Sequence, residues 1–300
     1  MAHQFGSDWT KIKLNCVREY AEAWSTLMRP TADKYGWQTR YIDAFSGSGS
    51  YVPKTSTRGK LDSDDLLDTD EEREELQKGS AQIAIDMQPP FDRIDLIELK
   101  SDFANDLQRI AGVDFNRRVF VHREDVNDAL PRLCRTLDKR RDRALIFVDP
   151  YGCEVDWSTL EAIARSEVSD VWYLAPTSGL NRQLSEDPGK IEPYKRERLR
   201  KSLGTDDWEP LFYRKITEPD LFGPRETIMR TAGPDEVEKV LLDRLGSIFP
   251  AVYQRCLRLK NARNGHLFSL CFAVSNPNKK AQTLAMRVAG GIIKKWEARA

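Results

Sequence analysis

Residues 39–51 read TRYIDAFSGSGSY, and the interpretation of this stretch governs that of the whole chain. Tyr41, Ile42 and Phe45 are β-prone, whereas Ser46-Gly47-Ser48-Gly49-Ser50 cannot continue a strand. The segment is therefore a strand that breaks on a small-residue turn. Glycine there lets the backbone take positive φ and come close to a ligand that a Cβ would hold away. Two glycines after a strand fit an ordinary strand-to-helix turn equally well, because short glycine motifs recur by chance. The flanking segments decide between the two.

Downstream, short apolar runs at 91–99 (FDRIDLIEL), 118–122 (RVFVH), 144–148 (ALIFV) and 168–174 (VSDVWYL) alternate with helical patterns such as 101–112, SDFANDLQRIAG. Strands alternating with helices call for a parallel sheet covered on both faces. Residues 251–261 and 266–276 then read as two strands joined by Ala262-Arg263-Asn264-Gly265, whose Asn-Gly is a hairpin signal, and a helix over 278–298 closes the chain. Upstream, Trp9, Ile12, Val17, Tyr20, Trp24, Leu27 and Met28 lie near helical spacing over 8–28, an amphipathic helix for one face of the sheet, and Pro30 and Gly36 end the segment.

Two segments interrupt this rhythm. Residues 52–78 are polar and acidic with little to bury, a surface insertion after the glycine turn. Ser80 then caps a resumed helix. Residues 177–232 read as an inserted, mainly helical subdomain, winged-helix-like in the narrower reading, with Trp208, Leu211, Phe212 and Tyr213 as its small core. The rest, 1–176 and 233–300, forms one α/β domain.

Composition bounds the function classes. Over 300 residues, 47 basic and 47 acidic side chains cancel, so attraction to a polyanion must come from local patches. No apolar run approaches the roughly 18 residues of a membrane helix. Cys16, Cys134, Cys153, Cys256 and Cys271 form no C-x-x-C pair, and His3, His122 and His266 are scattered. Neither a zinc site nor a disulfide framework is expected, which fits a reducing cytosol. The N-terminus carries no export signal.

In sheets of this kind ligands bind at the carboxyl ends of the strands. Asp43-x-Phe45-x-Gly47-x-Gly49 resembles the first motif of class I S-adenosylmethionine-dependent methyltransferases, and a parallel run closed by a hairpin matches their seven-stranded, Rossmann-like sheet with its last strand antiparallel. The resemblance implies S-adenosylmethionine as cofactor. Gly47 and Gly49 would admit its amino-acid part, with Asp43 near the ammonium. Glu98, ending the second strand, would take both ribose hydroxyls. Asp125, after the third, would meet the adenine amine, with Val126 covering the ring. Taken singly, each acid is an ordinary solvated loop residue; their joint placement favours the site.

Asp149-Pro150-Tyr151-Gly152 follows the fourth strand. It resembles the D/N-P-P-Y/F motif of amino methyltransferases without the second proline. In that form it is closer to the D-P-F-G of enzymes that methylate the N2 amine of guanosine in transfer RNA. An exocyclic amine is a poor nucleophile because its lone pair is delocalised into the ring. The Asp149 carboxylate and the Pro150 carbonyl can accept its two protons while Tyr151 stacks on the base, so that positioning supplies much of the rate. A base taken from a duplex must first be flipped out. The plain alternative is a strand ending in a Pro-Tyr-Gly turn.

Over nearly its full length, the two insertions excepted, the chain resembles the bacterial three-Cys-motif partner proteins. The resemblance runs through W-T-K-I-K-L at 9–14, Y-I-D-A-F-S-G-S-G at 41–49, Gly79-Ser80, I-E-L at 97–99, F-V-D-P-Y-G at 147–152 with Trp157 after it, and H-L-F-S-L-C-F-A-V-S-N at 266–276. It implies a methyltransferase-like fold and a partner carrying three clustered cysteines, a radical enzyme with an iron–sulfur cluster. It implies no substrate.

Two basic patches could follow a phosphate backbone: Lys195, Arg196, Arg198 and Arg200 in the insertion, and Arg258, Lys260 and Arg263 along the hairpin. Solvated faces are the plain alternative. The sequence thus supports a methyltransferase acting on a nucleobase amine in DNA or RNA, with a non-catalytic nucleic-acid-binding module for the cysteine-rich partner as the alternative. A nicotinamide dehydrogenase is disfavoured, because the turn lacks G-x-G-x-x-G and the hairpin fits poorly.

Overall fold

Helix α1 (Asp8–Tyr35) runs through Pro30, which lies inside it rather than at its end. It stops at Gly36, whose left-handed φ of 66° lets the Trp37 amide reach back to the Ala32 carbonyl at 2.9 Å. The computed structural model describes residues 3–4, 8–52, 77–112, 117–220 and 223–299. The acidic insertion expected over 52–78 lies outside these residues except at its ends, where Ser50–Val52 pairs with His3–Gln4 and Gln77–Lys78.

The main sheet is built from β1 (Gln38–Asp43), β2 (Arg93–Ile97), β3 (Val119–His122), β4 (Asp142–Val148) and β5 (Ser169–Ala175), ordered β3-β2-β1-β4-β5 and all parallel. The last strand, His266–Val274, runs antiparallel beside β5 and carries on its outer side two short pieces, Ala251–Val252 and Leu257–Lys260. Counted as one broken edge strand, those pieces make seven strand positions, the sheet expected. The hairpin closes as read, with Asn264 at φ 61°.

Alternate residues of each strand enter two cores. Tyr41, Leu96, Phe147, Trp172 and Phe272 face α1, α2 (Ser80–Ile85), α3 (Ser101–Gly112) and the closing helix Lys279–Glu297. Tyr20 of α1 packs among them, 4.8 Å from Phe272 between ring centroids. Ile42, Ile97, Ile146 and Val171 face α4 (Val126–Thr136), α5 (Trp157–Ser166) and the helix Pro234–Ile248. That second face also buries a polar cluster. Asp95 is fully inaccessible and accepts from Arg93 at 2.8 Å, His122 at 2.9 Å and Arg40 at 3.0 Å. No helix among the described residues is long and apolar enough to cross a membrane.

Residues 177–232 are helical at first, through α6 (Thr177–Gln183), α7 (Pro193–Leu203) and α8 (Glu209–Phe212), and end in an antiparallel hairpin of Tyr213–Asp220 with Gly223–Arg230, whose strands residue type did not place. Their sequence is mostly polar, and Ile228 and Met229 are about half exposed, so no clear apolar alternation marked them. Nor does the segment build a separate core: Leu180, Leu199, Leu203, Trp208 and Phe212 join the cluster of α4 and α5. A further correction concerns the cysteines. Cys256 and Cys271, opposite each other across the edge strands, form a disulfide with Cα atoms 4.6 Å apart. The pairing comes from strand register over a separation of 15 residues, which a search for short cysteine spacings does not detect.

Candidate functional site

At the carboxyl end of β1 the chain leaves Asp43 and turns through Ser46–Gly49, with Gly47 at φ 59° and Gly49 at φ 80°. Both conformations suit glycine, and the surroundings differ. A Cβ at Gly49 would stand 2.6 Å from Ile110 Cδ1, so the loop is seated on α3. At Gly47 the nearest atom would be the Tyr151 hydroxyl at 4.0 Å, which leaves open space. The buried Glu98 fixes the turn, accepting from the Gly47 amide at 3.0 Å and from the Lys100 amide at 2.8 Å.

Beside this loop is a cavity of about 310 Å³. Trp9 and Lys13 of α1, Phe45 and the glycine loop, Ser80, Phe103 and Asp149-Pro150-Tyr151 line it. The loop and the tetrad, 100 residues apart in the chain, thus share one wall. Lys13 is the residue the sequence reading passed over: its buried ammonium donates to both oxygens of Asp149, at 2.6 and 2.8 Å. It also lies 5.3 Å from the centre of the Trp9 ring. Trp9 and Lys13 are four apart and so share a helix face, a spacing that could have marked them.

Charge at the site is unbalanced. Asp43 is completely buried, and burial pushes its carboxyl up to about 7. The Asp149 charge adds to that; hydrogen bonding from Ser80 and the Phe45 amide, and the Lys13 charge, oppose it. Asp43 Oδ2 nevertheless has no partner of good geometry among the described residues. Ser80 begins α2 rather than capping it, the cap position being Gly79. Tyr151 is 52% exposed, and its amide is held by Glu154 at 3.0 Å. Burial of its hydroxyl, followed by the charges of Glu98 and Asp149, raises the phenol to about 12, so it stays protonated at neutral pH.

The remaining candidates do not line this cavity. Asp125 caps α4, accepting from the Asn127 amide at 2.8 Å, and Val126 is buried in the core beneath it. Lys195 pairs with Glu192 at 2.8 Å, Arg196 with Glu209, and Arg200 with Glu197 at 2.6 Å. Arg258 meets Glu238 at 2.8 Å and Asp235 at 2.9 Å. Among the described residues, Arg198 donates only to the Cys153 carbonyl, at 3.4 Å. Lys260 and Arg263 make no ion pair among the described residues.

No family model matches the chain, and no curated protein matches it in sequence. Among solved structures it is similar to a Legionella pneumophila protein of the DUF519 family, 19% identical with a TM-score of 0.39, covering 78% of this chain and 92% of that one. The N-terminal domain of EvdMO1, crystallised with SAH and D-fucose, is 11% identical with a TM-score of 0.37, covering 83% of this chain and 81% of that one. A Listeria monocytogenes protein described as an S-adenosylmethionine-dependent methyltransferase is 8% identical with a TM-score of 0.38, covering 80% and 92%. At these identities the chemistry of the site rests on its own geometry.

Proposed function

We propose that the chain is an S-adenosylmethionine-dependent methyltransferase acting on an exocyclic amino group of a nucleobase. The observation that carries this reading is the shared cavity: the glycine loop and Asp149-Pro150-Tyr151 line one space, with Asp149 held at its wall by Lys13. The residues present fit the cofactor. Asp43 offers a buried carboxylate oxygen without a partner for a cationic group, and the open space at Gly47 admits a close approach to the backbone. Glu98 keeps accepting capacity on both oxygens, because each takes one amide and a carboxylate oxygen has about two lone-pair sites.

When bound, S-adenosylmethionine supplies an electrophilic methyl group. The chain's residues do the rest. Asp149 takes two hydrogen bonds from Lys13 and retains a lone pair on each oxygen for the amine protons. Lys13 thereby fixes the Asp149 rotamer. Half-exposed Tyr151 provides a ring face for the base. The proton that leaves the amine is accepted at Asp149.

Calorimetric titration with S-adenosylmethionine and S-adenosylhomocysteine, with NAD as control, tests the cofactor; both adenosyl compounds should bind, and Gly47→Val and Glu98→Ala should lose them. A methyl-transfer screen on DNA and RNA then tests the substrate. Asp149→Ala should lower transfer by about a hundredfold or more while cofactor binding persists, since losing one preorganised group at a reacting centre costs roughly 10²–10³. Wild type that binds neither adenosyl compound, or undiminished transfer by the variant, overturns the reading. A cytosolic location and a three-cysteine partner belong to the same proposal. The Cys256–Cys271 disulfide stands against the location, because cytosolic thiols are usually kept reduced, and a thiol count on protein isolated from cells decides it.

A further inference from the structure

The basic residues of the chain sort by whether a carboxylate already answers their charge. Lys195, Arg196, Arg200 and Arg258 each meet a carboxylate. Three exposed cations by the tetrad loop meet no carboxylate among the described residues. Lys100, exposed, has no carboxylate partner among the described residues, and its ammonium lies 5.3 Å from the centre of the Tyr151 ring. Arg198 of α7, also exposed, reaches the Cys153 carbonyl at 3.4 Å, two residues beyond Tyr151. Arg182 of α6 is exposed and makes no ion pair among the described residues; its helix abuts the same loop, where a Cβ at Gly179 would stand 3.2 Å from Cys153 Sγ. Lys100 thus stands on one side of the tetrad loop, and the two arginines stand by its continuation. The acid in the same loop, Glu154, is occupied with the Tyr151 amide at 3.0 Å.

We infer that Lys100, Arg182 and Arg198 form a phosphate-contacting rim that carries a nucleic-acid backbone across Tyr151. This rests on the proposed nucleobase reading and narrows it. A cation paired within the protein must give up its partner to meet a phosphate, whereas an unpaired exposed one meets it directly and releases the phosphate's counterion. The outer face of α7 and Arg258 therefore lie outside the path, although both belonged to the basic patches of the sequence. Lys260 and Arg263 also make no ion pair among the described residues, but neither lines the cavity. The rim fits the shared phosphodiester chemistry of DNA and RNA.

The test compares two triple variants, Lys100→Gln/Arg182→Gln/Arg198→Gln and Lys195→Gln/Arg196→Gln/Arg200→Gln. Fluorescence anisotropy with matched single-stranded DNA and RNA oligonucleotides is followed over a salt series, with thermal melting as the control for folding. Each phosphate contact contributes about 0.7 to the log–log salt slope for single strands, so the rim variant should lose roughly 2 of that slope, and the outer variant less than 1. Binding at low salt should fall by more than about tenfold in the rim variant alone. An equal or larger effect from the outer variant, or a rim variant that binds like wild type, overturns the rim and leaves the nucleobase reading standing. Wild type that binds neither oligonucleotide overturns both. Tighter binding of one polymer, lost in the rim variant, supports the rim and identifies the substrate.

Discussion

Asp95 and Asp43 stand on neighbouring strands, equally inaccessible to water, and are treated in opposite ways. Asp95 receives hydrogen bonds from Arg40, Arg93 and His122. Burial alone would raise its pKa, but those bonds outweigh it and hold the carboxyl well below the usual carboxylate range. Asp43 receives one amide, from Phe45 at 3.3 Å, and keeps an oxygen without a well-formed bond, while among the described residues Lys13 is the one cation that Asp149 and Asp43 share. A carboxylate satisfied by the chain serves the framework. One left short is what the proposed cofactor site calls for.

The comparison breaks most visibly at Asp95. Asp95→Ala leaves Arg40 and Arg93 without a shared anion in the interior and should cost about 3–5 kcal/mol, read from urea unfolding. A loss below about 1 kcal/mol would mean that the cluster is not the framework element described here.

The pH dependence sharpens the contrast, because the two acids have opposite signs. Asp43 moves from 3.8 unfolded to about 7 folded, so between those values the native state binds more protons and stability falls as pH rises. At about 1.4 kcal/mol per unit, roughly 4 kcal/mol is the upper bound of that fall. Asp95, depressed in the fold, contributes stability that is present above its unfolded pKa and is lost as the solution is acidified further. Melting temperatures from pH 4.5 to 8 should therefore decline less in Asp43→Asn than in wild type. Identical profiles would remove Asp43 as a stressed group.

The smallest expected effect is at Lys13. Lys13→Met strips Asp149 of both its bonds, which should cost about 1–3 kcal/mol, less than removal of Asp95 because Asp149 is partly open to water. Chemical denaturation measures it, and a cost as large as that of Asp95→Ala would erase the distinction between site and framework.

Much of this was legible in the sequence where neighbours in the chain are neighbours in space. The strand break at Ser46–Gly49, the parallel run and the Asn264 turn are local, and each was read from residue type. Pairings across long separations were not. Lys13 and Asp149 are 136 residues apart, and nothing in W-T-K-I-K-L announces a carboxylate partner. Arg258 read as a free cation because Glu238 lies on another element. Asp125 read as a ligand acid, although its position just before a helix also predicts the cap that it makes.

Helix α1 has one more consequence, in the order of synthesis. Its 28 residues span about 42 Å and are fastened at three heights: Arg29 to Asp92, Tyr20 to Asp170, Lys13 to Asp149. It is made before its anchors, which follow 63, 150 and 136 residues later. At translation rates of roughly 5–20 residues per second, α1 waits several seconds or more with its aromatic face uncovered. Its C-terminal end has a partner first and the end at the cavity much later, so the nascent chain closes that cavity only after the central strands have been made.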